Sequence, residues 1–101
     1  MKIAVDEDRL IVSGRGVDGI VRFTDIADVT AEKIDKVTYD EVFLIVREQT
    51  GIAITLGELD EGFAVAEQAL RARLLDFPSD WWATAEQAPV GIRRQVWAAQ
   101  T

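Results

Sequence analysis

The sequence predicts an α+β domain in which a strongly bent antiparallel sheet, or a partly closed barrel, is capped by one amphipathic helix. Three observations predict this fold class. Residues 41–48 (E-V-F-L-I-V-R-E) are rich in β-branched and aromatic side chains. Residues 52–56 (I-A-I-T-L) alternate with period two after a Gln49-Thr50-Gly51 turn, and from about Asp60 the apolar spacing becomes helical. An open antiparallel sheet with a helix on one face is the alternative architecture.

Shorter strands are predicted before this hairpin, at residues 1–6, 9–13, 19–23 and 28–37. A Glu7-Asp8 turn separates the first two. The last segment, D-V-T-A-E-K-I-D-K-V, is polar, and its inserted charges suit an edge strand that must resist pairing with other chains. A helix is the alternative for this segment.

The predicted capping helix spans residues 60–75. Its apolar residues recur every three or four positions, which places them along one side of a helix: Leu59, Phe63, Ala66, Leu70, Leu74 and Phe77. Pro78 ends the helical pattern. We interpret this stripe as a face packed on the sheet, with a groove-binding helix as the alternative.

The chain is predicted to form a single domain over residues 1–101, with its strands in 1–57 and a C-terminal extension at 79–101. Ser79 can cap a short second helix at 80–87. The conformation of residues 88–101 is left open. The expected core consists of Ile3, Val5, Leu10, Val12, Ile20, Phe23, Val42, Leu44, Val46, Ile54, Leu56, Phe63, Leu70 and Leu74.

The composition restricts the chemistry that the protein can perform. Its 101 residues include no cysteine and no histidine. Disulfides, thiolate metal sites and a cysteine nucleophile are therefore excluded, and the commonest general base is missing. Without histidine, Ser13 and Ser79 lack the usual partner of a serine nucleophile. We expect no enzymatic activity, no cofactor and no metal site.

The start of the chain and its cysteine content indicate a location. Residues 1–6 contain no long apolar run, so neither a signal peptide nor a transmembrane span is expected there. The absence of cysteine is compatible with the cytosol. We expect a cytoplasmic protein.

The negative charge is confined to one part of the sequence. The net charge is −7, and residues 25–61 alone carry ten acids against three bases. This distribution disfavours nucleic acid and membrane partners, because both attract Lys and Arg. The segment is either a solvated face or a surface for a basic partner. Its candidate interaction residues are Asp25, Asp28, Glu32 and Asp35.

Two short motifs have structural interpretations that we prefer. Residues 14–19 (G-R-G-V-D-G) match the spacing of a dinucleotide-binding loop, but the strand pattern that follows offers no helix N-terminus. A hairpin turn is therefore expected. Asp6-Glu7-Asp8 lacks the twelve-residue pattern of a calcium loop and is interpreted as a plain turn.

Three tryptophans, Trp81, Trp82 and Trp97, are the remaining candidates for an interaction site. Tryptophan is enriched at interface hot spots. Adjacent residues on a helix point about 100° apart, so Trp81 and Trp82 can differ in burial. The alternative is that all three seal the C-terminal segment onto the sheet.

Several short strands, a long hairpin and one closing helix resemble the pleckstrin-homology-like superfold over about residues 1–77. The runs D-E-V-F-L-I-V, T-G-I-A-I-T-L-G-E and E-G-F…A-L…R-L also look like small bacterial domains of this shape that have no assigned role. The resemblance implies a PH-like barrel that serves as a binding scaffold. In lipid-binding members, basic residues in the first hairpin loop bind phosphoinositides. The corresponding loop of this chain contains Asp6-Glu7-Asp8. The superfold has seven strands, and the sequence pattern places about six of them.

These observations favour a non-enzymatic protein-interaction module whose partner is unknown and which is a possible homodimer. The alternative is a small acidic inhibitor or immunity-type protein that blocks a basic toxin or nuclease through residues 25–61. A third hypothesis is a small-ligand-binding barrel, which requires a concave pocket with convergent polar groups.

Overall fold

The computed structural model describes residues 1–14 and 17–99, which form two antiparallel sheets and two helices. The first sheet has the order β1-β2-β3 and the second has the order β6-β5-β4-β7. The predicted α+β class is confirmed, but within the described residues the strands form two sheets and no closed barrel. The elements are β1 (Lys2–Asp6), β2 (Arg9–Gly14), β3 (Val17–Arg22), a 3-10 turn (Phe23–Asp25), β4 (Ile26–Asp35), β5 (Asp40–Glu48), β6 (Ala53–Gly57), α1 (Phe63–Arg73), α2 (Trp81–Gln87) and β7 (Arg94–Ala98).

The glycine-rich motif lies at a hairpin, as expected. Gly14 of β2 pairs with Val17 of β3, and the two strands run antiparallel. A strand, and not a helix, follows the motif, so the arrangement of a dinucleotide-binding unit is absent from this described part of the chain. Arg15 and Gly16, which complete the motif, lie outside the described residues.

The core fills the space between the two sheets. Alternate residues of each strand point inward, as the period of a strand requires. The largest side chains with less than 2% exposure are Leu10, Ile26, Leu44, Leu56, Leu70, Val12, Val21, Val29, Val42 and Val46. Most of the predicted core is therefore in place, with Val5 only half buried.

The assignment of Ile20 to the core is wrong, because its side chain is 57% exposed. In the β2–β3 pairing, Leu10 lies opposite Val21, whereas Ile11 lies opposite Ile20. Since neighbouring residues on a strand point to opposite faces, burying Val21 turns Ile20 outward. Val21 is fully buried in its place.

Helix α1 is shorter than predicted and begins at Phe63 instead of Asp60. Gly62 precedes it with a φ of 88°, and Glu61 forms a parallel bridge with Lys2 of β1. The Ile3 N–H donates to the Glu61 carbonyl at 2.7 Å. This link ties the segment before the helix to an edge of the first sheet, so helical geometry cannot begin earlier. Leu59, which the stripe included, is consequently 65% exposed.

The segment at 28–37 is a strand, as predicted, but it is not an edge strand. As β4, it pairs with β5 on one side and with β7 on the other. The covering strand β7 comes from the C-terminal segment that the sequence left unassigned. Its pairing with β4 includes an irregularity between Val29 and Thr30. The described chain thus contains seven strands, one more than the pattern placed.

None of the helices in the described ranges has the length and apolarity needed to cross a membrane.

Candidate functional site

Trp81 is a core residue. Its side chain is 3% exposed, and its ring centroid lies 6.2 Å from that of Phe63 in α1. Its indole N–H donates to Glu67 Oε1 at 3.1 Å. This hydrogen bond satisfies the one polar group of the side chain, which burial would otherwise leave without a partner. Trp81 therefore holds α2 against α1 and does not belong to an exposed site.

The other two tryptophans differ in exposure. Trp82 is 45% exposed, and its indole N–H donates to Glu58 Oε2 at 2.8 Å. Trp97 on β7 packs partly buried against the core, and its indole N–H donates to the Leu75 carbonyl at 2.8 Å. Of the three candidates, Trp82 presents the most apolar surface to a partner.

The four candidate acids do not form one site. Asp28 and Asp35 are seven residues apart on β4, which corresponds to roughly 23 Å of extended chain. Asp25 lies in the turn before the strand, where its carbonyl accepts the Gln49 N–H at 3.0 Å. Asp35 lies at the far end, and its Oδ1 accepts the Val37 N–H at 2.8 Å.

The two acids in the middle of β4 already have basic partners. Asp28 Oδ2 accepts from Arg47 Nε at 2.8 Å, and Glu32 Oε1 accepts from Arg93 Nε at 2.8 Å. The hydrogen bond and the negative charge of Asp28 raise the pKa of the Arg47 guanidinium. These pairs reduce the charge that the outer face of β4 offers to another molecule.

Acids that sequence reasoning did not single out hold the turn between β6 and α1. Glu58 Oε1 accepts the Val42 N–H at 2.9 Å, and Asp60 Oδ2 accepts the Gly57 N–H at 2.9 Å. Glu41 Oε2 accepts the Leu59 N–H at 3.4 Å. Part of the acidic segment therefore caps backbone N–H groups. The only signal in the sequence is the cluster of acids that follows Gly57, at positions 58, 60 and 61.

Exposed apolar side chains gather at the end of the second sheet where β4 turns into β5. We call Val37, Tyr39, Leu59 and Trp82 the hairpin-end surface; their exposed fractions are 94%, 51%, 65% and 45%. Tyr39 and Leu59 line the same cavity. Trp82 belongs to the same surface because its indole N–H donates a hydrogen bond to Glu58, which precedes Leu59 in the chain. The residues come from two turns and a helix, so their proximity is a product of the fold.

Acidic residues surround this surface. Asp35 and Asp40 form the paired ends of β4 and β5, while Glu58, Asp60 and Glu61 lie in the turn after β6. Lys36 is the one base among residues 35–41 and 57–61. The Met1 ammonium, 3.8 Å from Asp60, and the Lys2 ammonium, 3.9 Å from Glu61, offset part of this charge. The result is an apolar centre with a rim of net negative charge.

No group of three or more Asp and Glu side chains within residues 1–14 and 17–99 is arranged to hold a metal ion. A scan of protein-family models and searches of curated proteins and of solved structures found no match to this chain. Its function has to be argued from the geometry of its own residues.

Proposed function

We propose that the protein is a non-enzymatic protein-interaction module that binds its partner through the hairpin-end surface. The observation that carries this proposal is the conformation of Val37. This residue has a φ of 78° and a side chain that is 94% exposed.

Val37 lowers the stability of the free protein for two reasons. A β-branched residue with positive φ is a genuine outlier, because its Cβ crowds the backbone, at a cost of about 1–3 kcal/mol. Its side chain also gains nothing from burial, since it lies in solvent. Local hydrogen bonds hold the turn in this shape, including one from the Lys36 N–H to the Tyr39 carbonyl at 2.8 Å. Val37 lowers the stability of the fold and lies exposed in a turn. A residue of this kind supports a role for the turn in binding.

The composition of the surface supports a protein partner. Interfaces typically have an apolar centre enriched in Tyr and Trp and a polar rim. Here Tyr39 and Trp82 belong to the centre, and the rim is acidic. A partner with an apolar patch bordered by Lys and Arg complements it, and this charge also disfavours nucleic acid and anionic lipid.

We also propose a PH-like architecture for this fold. Seven strands in two antiparallel sheets with an amphipathic helix support a variant of the PH-like scaffold, here bacterial and cytoplasmic. The variant differs from the expected order because β7 follows both helices. Such a scaffold presents turns at the ends of its strands, where the hairpin-end surface lies.

Self-association is the second form that the interaction can take. Strand β7 is at the edge of its sheet and has β4 as its neighbour in the strand order. An edge strand offers unpaired backbone groups to another chain, including a second copy of the same protein. A homodimer through β7 would leave the hairpin-end surface free.

The variant Val37→Gly tests the proposal. Glycine removes the apolar side chain and relieves the left-handed strain, so we expect the free energy of unfolding to be unchanged or to rise by up to about 1 kcal/mol. Capture of the partner from a lysate of the source organism should nevertheless fall, because the apolar centre is lost. The measurement is quantitative mass spectrometry of proteins retained by each immobilised variant.

Ile52→Gly provides the matched control. Ile52 is 60% exposed and lies beyond the opposite end of β5, far from the hairpin-end surface. A protein retained by the wild type and by Ile52→Gly, but lost from Val37→Gly, supports the proposal. Equal retention by all three proteins contradicts it.

The acidic rim also favours the second candidate function, a small inhibitor or immunity-type protein that blocks a basic toxin or nuclease. This alternative depends on charge steering, so its association rate must fall steeply as salt rises. An association rate that does not change with salt eliminates the inhibitor and leaves the interaction module standing.

A further inference from the structure

The cavity lined by Tyr39 and Leu59 has chemistry of its own. It has a volume of about 320 Å³, which is the space of roughly ten water molecules in the liquid. Its wall contains two carboxylates, Glu41 and Asp60, and two aromatic rings, Tyr39 and Phe43. This combination is suited to an organic cation, since carboxylates supply charge and aromatic faces attract ammonium and guanidinium groups.

Glu41 is the one charged or polar residue in the buried class among the described residues, with 6% exposure. Its Oε2 accepts a single long hydrogen bond, 3.4 Å from the Leu59 nitrogen. Its carboxylate makes no ion pair within the described residues, and no side-chain oxygen there is both fully buried and unpartnered, so Oε1 is within reach of solvent. A cation that entered the cavity would reach this oxygen and pair with a carboxylate that has no basic partner among the described residues.

A second carboxylate converges on the same place. A Cβ added to Gly57 would lie 2.5 Å from Glu41 Oε2, 3.1 Å from Asp60 Oδ2 and 2.9 Å from the Phe43 ring. The two acids and the ring therefore meet around a position that only glycine leaves open. A positive charge placed with two neighbouring carboxylates stabilises both, and Asp60 Oδ1 already lies 3.8 Å from the Met1 ammonium.

The chain already places two cations of its own at this wall, the Met1 ammonium beside Asp60 and Lys36 beside Phe43. The Lys36 ammonium lies 5.2 Å from the centroid of the Phe43 ring, and Lys36 also lines the cavity. In the described residues it forms no ion pair, so it is a loosely held occupant of the aromatic face. Its position shows that the ring accepts a positive group from the solvent side.

We propose that this cavity receives a Lys or Arg side chain of the partner protein, which displaces Lys36 from Phe43 and the Met1 ammonium from Asp60 and pairs with Glu41 and Asp60. The inference rests on the proposed function and specifies its partner: a basic residue would be the anchor in the middle of the hairpin-end surface. Desolvated charge pairs of this kind are strong determinants of which partner binds.

Titration with amino-acid amides tests the cavity without the partner. N-acetyl-arginine amide and N-acetyl-lysine amide are added to the ¹⁵N-labelled protein, with N-acetyl-citrulline amide as the uncharged match for arginine. The Gly57 and Leu59 N–H groups are direct reporters, because they donate to Asp60 and Glu41. We expect saturable shifts of these two resonances with a cationic probe and none with citrulline. No shift with either cation, or the same shift with citrulline, would overturn the proposal.

Isosteric variants sharpen the result. Glu41→Gln and Asp60→Asn should each weaken the cationic probe roughly tenfold, as expected for losing a charged hydrogen-bond partner. Asp18→Asn, at an exposed position on β3, removes the same charge elsewhere and should leave binding unchanged. Lys36→Met should raise the affinity for the cationic probe roughly two- to fivefold, since it removes an exposed competing charge. Equal affinities in all four variants contradict the site.

The cavity and the proposed function fail in different ways. A partner that is lost from Val37→Gly, combined with a cavity that takes no cationic probe, refutes the cavity and keeps the interaction module. A cavity that binds the probes in a protein that captures no partner refutes the interaction module.

Discussion

Gly62→Ala is expected to lower the free energy of unfolding by roughly 2–6 kcal/mol, in a domain whose total is about 5–15 kcal/mol. Gly62 has a φ of 88°, and a left-handed non-glycine residue costs about 1–3 kcal/mol. In addition, its Cβ would overlap the carbonyl oxygen of Ile3 in β1. Backbone atoms cannot turn aside as side chains do, so overpacking adds about 1–3 kcal/mol. Denaturant unfolding at equilibrium measures the sum.

Gly91→Ala is the control for this prediction. Gly91 has a φ of 82°, close to that of Gly62, but an added Cβ meets nothing within 4 Å. The Gly91→Ala variant should therefore lose only the free energy of placing a non-glycine residue in the left-handed region, about 1–2 kcal/mol. If both variants lose the same stability, the close approach between β1 and the start of α1 is wrong.

Leu70→Ala is expected to cost about 3–5 kcal/mol. Leu70 is fully buried on α1, at the middle of the apolar stripe. Truncation removes its transfer free energy and leaves a cavity beneath α1 that cannot collapse fully, because the sheets on which the helix packs are held by their own hydrogen bonds. The midpoint of denaturant unfolding should fall while the slope stays constant.

Leu75→Ala tests whether burial sets the cost of truncating a leucine. Leu75 lies two residues beyond α1 and is 76% exposed, so its truncation should change stability by less than about 0.5 kcal/mol. A wild-type midpoint for Leu70→Ala would mean that the stripe faces solvent. The groove-binding helix, set aside here because Phe63, Ala66 and Leu70 are buried, would then be the better description.

The hairpin and the helical stripe were predictable because each leaves a local pattern. Residues 42–46 are an uninterrupted apolar run, residues 52–56 alternate with period two, and Phe63, Ala66 and Leu70 recur at helical spacing. A period of this kind reports the direction of the core from local sequence alone.

The places where prediction failed depend on contacts between distant segments. The edge or interior position of β4 is decided by β7, about sixty residues along the chain. Ile20 and Val21 are both apolar, and only the pairing of β3 with β2 chooses between them. The early start assigned to α1 fails because Glu61 is bound to β1. None of these pairings leaves a local signature.

The candidate site was predictable in its charge and not in its location. The sequence showed that residues 25–61 carry the negative charge. It did not show that Arg47 and Arg93 pair with the acids of β4, or that Glu41 is buried. The helical spacing of adjacent tryptophans allowed one buried and one exposed ring, and Trp81 and Trp82 differ in this way. Val37 gave no signal, because its backbone angle depends on the turn that it forms.

Site-specific photo-crosslinking tests the central claim most directly. p-Benzoylphenylalanine is incorporated in place of Tyr39, on the hairpin-end surface, and in a second protein in place of Ile20, which is similarly exposed on the first sheet. Both proteins are irradiated in a lysate of the source organism. We expect one discrete adduct from position 39 that Val37→Gly suppresses, and no such adduct from position 20. The same adduct from both positions, or an adduct from position 20 alone, would contradict this claim.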